Sequence, residues 1–151
     1  MAGVIAGALL IVFAAAVDLR MLPVLSAPWR WLGASLLTVH GAALVMVAIF
    51  TEAPATLRFH ILGAVIGLTS LVLALLVIGW ALWSAPGWRP WGAYTLAILL
   101  LTMILIALEN VTFRPGAPVG TALLGGLAER ALYVVSLSWF VSLGWRLSIG
   151  D

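Results

Sequence analysis

Charged residues interrupt this chain so sparsely that five long uncharged stretches stand between them: Met1–Val17, Trp31–Thr51, Phe59–Trp88, Pro90–Leu108 and Ala131–Trp145. A helix rises 1.5 Å per residue, so about 20 apolar residues cross a hydrocarbon layer some 30 Å thick. Five stretches on this scale predict five crossings. Inside a bilayer no water can satisfy backbone donors and acceptors, which leaves only helices or a closed barrel. The stretches are too long and too uniformly apolar for the alternating strands of a barrel. The pattern predicts an all-α fold, a polytopic membrane helix bundle with five transmembrane helices in a single integral membrane domain over residues 1–151.

Turn chemistry sets the expected boundaries. Asp18, Arg20 and Pro23 close the first helix, Thr51-Glu52-Ala53-Pro54 ends the second, and Ser84-Ala85-Pro86-Gly87 stops the third. The longest connection is expected from Asn110 to Leu127, where Pro115, Pro118 and glycines gather. Helices are therefore expected over about residues 2–17, 30–50, 60–83, 91–109 and 128–148. Glu129 then lies in the first turn of the last helix, where a negative charge suits the helix dipole.

Composition narrows the class further. The chain is 65% hydrophobic and 8% charged with a mean hydropathy of +1.25, whereas soluble domains carry about a quarter charged residues. That leaves no room for a soluble domain. Seven arginines, no lysine and five acids set a sequence pI near 9.9, but the arginines stand singly at the edges of apolar stretches. This is an anchoring pattern and excludes a nucleic-acid patch. The absence of cysteine removes disulfides, thiolate metal sites and cysteine nucleophiles. The first stretch lacks a positive leading segment and is followed by Asp18 and Arg20, so it is expected to be a mature helix and not a signal peptide.

With five helices the two chain ends lie on opposite sides. One side collects Arg20, Arg30, Arg89 and Arg146, the other Arg58, Arg114 and Arg130. Tryptophan separates the sides more sharply, because its ring is apolar and its N–H seeks a polar partner at the membrane interface. Trp29, Trp31, Trp80, Trp83, Trp88, Trp91 and Trp145 all fall on the first side as expected interfacial anchors, and Trp139 alone does not. The expected placement is the plasma (inner) membrane, N-terminus outside, tryptophan side and C-terminus in the cytoplasm. A weak repeat also runs through the chain. Ser26-Ala27-Pro28-Trp29-Arg30 with Gly33-Ala34 is echoed by Ser84-Ala85-Pro86-Gly87-Trp88-Arg89 with Gly92-Ala93. Either the second and third helices repeat as the fourth and fifth, or interfacial turns simply reuse the same residues.

Few residues could carry chemistry. His40 is the one strongly polar ionisable group near the middle of an expected helix, where polar side chains are costly. It either donates a hydrogen bond to a neighbouring helix and specifies packing, or serves a ligand or proton. His60 opens the third helix near the far face, so the two histidines do not share a depth and a bis-histidine haem site is not expected. No metal-ligand spacing is present. At the less aromatic end, His60, Arg58, Glu109 and Arg130 all lie at helix ends and are expected to gather as a paired cluster, with Glu129 beside them. Such a group suits a polar head group or partner, and equally suits solvated end charges. Gly3-xxx-Gly7 and Gly63-xxx-Gly67 permit close helix contact. Ser136, Ser138 and Ser142 have no neighbouring histidine in their helix to activate a nucleophile.

Two stretches carry a family resemblance. Phe50-Thr51-Glu52-Ala53-Pro54, followed by Arg58-Phe59-His60 and Gly63-Ala64, resembles a short Phe/Pro turn leading to a His-opened helix. Gly126-Leu127-Ala128-Glu129-Arg130, with Trp139 and Arg146-Leu147 downstream, resembles a closing Gly-Leu-x-x-Arg helix. Both are similar to domain-of-unknown-function family 998, over about residues 1–148. The resemblance implies a six-helix membrane protein with an extra N-terminal helix and a polar loop, both expected to be missing here. It supplies no activity or cofactor, and it marks His60 and Arg130 only as motif positions. Two functions follow as expectations. One is a small non-enzymatic membrane protein that is a structural or accessory subunit or binds a lipid or pigment, with membrane lipids and a membrane protein or a second copy as partners and no nucleic acid. The alternative is a small transporter or lipid-handling protein using the polar cluster.

Overall fold

The computed structural model describes residues 2–21, 23–112 and 121–149. Five helices follow one another: α1 (Ala2–Arg20), α2 (Ala27–Ile49), α3 (Leu57–Ser84), α4 (Arg89–Thr112) and α5 (Thr121–Ile149). The described residues contain no strand. Each helix includes a span long and apolar enough to cross a membrane.

Most helix ends lie beyond their expected positions, while α2 stops one residue early at Ile49. α1 continues through Asp18 and Arg20 because the Asp18 carboxylate finds a partner: Arg30 Nε donates to its Oδ1 at 2.7 Å across the α1–α2 turn. α2 begins with Pro28 in its first turn, where proline's missing N–H costs nothing. The largest difference is at α5, which starts at Thr121 and carries Gly125 and Gly126 inside the helix. Glu129 therefore sits beyond the first turn, and the long connection expected over Asn110–Leu127 shrinks from both sides. Arg114, Pro115 and Pro118 lie outside the described residues.

Each helix packs antiparallel on the next, and α5 returns to touch α1. Glycines set how closely. On the α1–α2 seam a Cβ on Gly7 would stand 2.5 Å from the Gly41 carbonyl oxygen, and one on Gly41 would stand 2.7 Å from that of Gly7. Gly63 and Gly67 of α3 face Ala43, Met46 and Val47 of α2, and Gly92 of α4 lies directly against the Trp83 backbone. Small residues let backbones approach where lipid provides no hydrophobic drive for association.

The packed core is not central. Ala14 and Val17 of α1, Met21 just beyond it, Leu71, Leu75, Ile78 and Leu82 of α3, and Trp139, Phe140 and Leu143 of α5 place it in the tryptophan-rich half. The sequence echo does not correspond to a structural repeat. Gly33 of α2 packs forward on Ile78 of α3, whereas Gly92 of α4 packs backward on α3. Trp29 is exposed within the first turn of α2, while Trp88 is buried just before α4.

Candidate functional site

His40 lies in the interior, 5% exposed. Its Nδ1–H donates to the Gly67 carbonyl of α3 at 2.9 Å, the acceptor on another helix that a buried imidazole requires. Because a carbonyl only accepts, the neutral ring carries its lone pair on Nε2. The imidazole stacks on Phe140, with ring centroids 6.2 Å apart and planes 16° from parallel. Phe140 in turn meets Trp139 and Phe13 edge-on, so α1, α2 and α5 interlock through one aromatic cluster. Trp139 is fully buried, and its Nε1–H donates 3.0 Å to Thr95 Oγ1, which itself donates to the Trp91 carbonyl. This chain ties α5 to α4. The sequence hint of it was that Trp139 alone fell outside the interfacial group. Nothing in the sequence pointed to Thr95.

At the less aromatic end the expected four-residue cluster does not assemble. His60 Nδ1–H donates 2.7 Å to the Phe50 carbonyl, and its Nε2 lies 3.7 Å from Glu52 Oε1, so it reaches back to the end of α2. Arg58 lies over the Phe59 ring, 4.7 Å from its centroid. Glu109 and Arg130 form no ion pair within 4.0 Å among the described residues. Two features work against the cluster: α5 starts at Thr121, which puts Arg130 inside the helix and not at its opening, and α5 has α4 and α1 as backbone neighbours but not α3. A local partner ten residues away wins His60.

The other end carries the exposed Trp29, Trp31, Trp80, Trp83 and Trp145 and the half-buried Trp91. Trp88 departs from the expected anchor role. It is 8% exposed, covered by the Arg146 guanidinium 4.7 Å above its ring, because the α3–α4 turn at Gly87 (φ 79°) folds it inward. Two clefts open at this end. One, of about 450 Å³, lies between α4 and α5 and is lined by Pro90, Trp91, Tyr94 and Ser142. Its walls are mainly hydrocarbon and aromatic, and the Tyr94 hydroxyl faces Ser142 Oγ at 3.5 Å. The second, of about 240 Å³, lies where the α1–α2 turn meets the end of α3.

Five apolar helices, a glycine-mediated seam and interior polar groups paired across helices define a polytopic all-α integral membrane protein. The family profile described as "Protein of unknown function (DUF998)" matches residues 1–146, and the chain belongs to that family. Neither the curated proteins nor the solved structures include a match to it.

Proposed function

We propose that this chain is a non-enzymatic lipid-binding protein of the plasma (inner) membrane, holding one hydrocarbon chain of a bilayer lipid in the α4–α5 cleft. The cleft itself carries the reading. Its volume of about 450 Å³ falls in the usual range for ligand sites, and it lies between two helices long and apolar enough to cross a membrane. Trp91 and Tyr94 supply aromatic lining, and the Tyr94 and Ser142 hydroxyls face each other, leaving a mainly apolar surface suited to methylene groups. Both histidines are engaged by backbone carbonyls, which favours packing roles over chemistry. A transporter reading draws less support, because His60 and Arg130 sit on helices that are not neighbours.

Native mass spectrometry on gently solubilised protein tests this. The wild-type chain is expected to retain about one lipid per copy, and Ser142→Phe, which fills the cleft, to lose most of it without a change in thermal midpoint. Equal retention by both, or none by the wild type, would overturn the reading.

The orientation is proposed with it: N-terminus outside, tryptophan end in the cytoplasm, following the greater number of arginines there. In this cysteine-free chain, an impermeant maleimide added to intact cells should label Ala53→Cys in the α2–α3 turn. Pro86→Cys should react only after permeabilisation. The reverse pattern would invert the topology. Pro86 is preferred to Gly87, whose positive φ disfavours a side chain.

A further inference from the structure

We infer that the second cleft is a separate site for the glycerophosphate head of an anionic phospholipid. It is formed by the α1–α2 turn at Val24 to Ser26, by Trp29 of α2, by Trp80 and Ser84 of α3, and by Pro86 just after it. Unlike the α4–α5 cleft, its lining is about as polar as it is apolar, with hydroxyls from Ser26 and Ser84. Trp29 and Trp80 flank it, 42% and 55% exposed. Exposed tryptophans at a helix end mark head-group depth, where one rim of a site is wet and the other apolar. A half-polar cleft at that depth fits the head and glycerol of a lipid better than its chains.

Charge decides the sign of the head. The helix ends and turns on this side carry Arg20, Arg30, Arg89 and Arg146. Among the described residues the one acid at this end is Asp18, and it is already held by Arg30 at 2.7 Å. Arg20 closes α1 just before the turn that lines the cleft, and Arg89 opens α4 three residues after Pro86; both are exposed. An excess of arginine at head-group depth attracts anionic lipid, and the attraction fades with salt over a Debye length. The site stands apart from the α4–α5 cleft, so either can fail without the other.

The test uses the full chain in nanodiscs of phosphatidylcholine alone or mixed with phosphatidylglycerol, with retained lipids counted by native mass spectrometry. Phosphatidylglycerol is expected to be retained in preference to phosphatidylcholine, and high salt during loading should erase the preference. Two variants at exposed positions separate the contributions. Ser84→Phe fills the cleft and should abolish the preference, while Arg20→Gln with Arg89→Gln should reduce it about tenfold. Ser142→Phe should leave it unchanged. Competition by soluble glycerol phosphate would reassign the site to a free anion. Equal retention of the two lipids, or an undiminished preference in both Ser84→Phe and the double arginine variant, would overturn the proposal.

Discussion

Trp139→Ala is expected to destabilise the bundle by about 4 kcal/mol, the largest single-residue loss anticipated here. The side chain is fully buried, meets Phe13 and Phe140 edge-on with centroids 6.4 Å and 5.0 Å away, and supplies the Nε1–H that reaches Thr95. Removing it opens a cavity where α1, α4 and α5 converge. Trp139→Phe keeps most of the ring and loses only the interhelical hydrogen bond, for which about 1 kcal/mol is expected within a membrane. The midpoint of detergent-induced unfolding measures both. A double-mutant cycle with Thr95→Val isolates the bond from the packing. If Trp139→Phe were as damaging as Trp139→Ala, the hydrogen bond and not the packed ring would hold α5.

Gly92→Ala is expected to cost about 3 kcal/mol despite adding a single methyl group. The new Cβ would overlap the Trp83 backbone nitrogen and stand 2.5 Å from Trp83 Cα and 2.9 Å from the Gly79 carbonyl oxygen. Those are backbone atoms, so no rotamer relieves the clash and α3 and α4 must separate. Gly126→Ala provides the contrast. A Cβ there meets nothing within 4 Å, and replacing a helical glycine should stabilise α5 by about 0.5–1 kcal/mol. Opposite signs for these two identical substitutions, read from the same unfolding midpoint, would establish that glycine acts at Gly92 through the helix contact. A neutral Gly92→Ala would show that the hairpin has room to spread.

His40 and His60 show how far the candidate site was legible. That a histidine in mid-helix must find an acceptor on another helix follows from the cost of an unpaired N–H in an apolar interior, and Gly67 supplies that acceptor. Which helix would supply it did not follow. His60 presents the opposite case. Arg58, His60 and Glu109 do fall near helix ends on one side, but α5 starts at Thr121 and so carries Arg130 more than two turns inside the helix, and sharing a side is not adjacency. The ring of neighbours runs α1 to α5 in order and leaves α5 beside α4 and α1, and the contacts that hold His60 come from Glu52 and Phe50 at the end of α2.

The sequence by itself determined the number of helices and which ends share a side, because burying charge and unpaired backbone in hydrocarbon is so costly that uncharged length alone marks a crossing. Only the tertiary structure decided which face of each helix turns inward. In a soluble protein that face is written as an apolar stripe, but lipid is as apolar as a protein core, so Leu71 inside and Leu73 outside read alike along α3. The selection falls instead to local fit: backbone contact at Gly92, a carbonyl left open at Gly67 for His40, and the hydrogen bond from Trp139 to Thr95. These are three-dimensional coincidences of shape and donor geometry, and no periodicity along the chain encodes them.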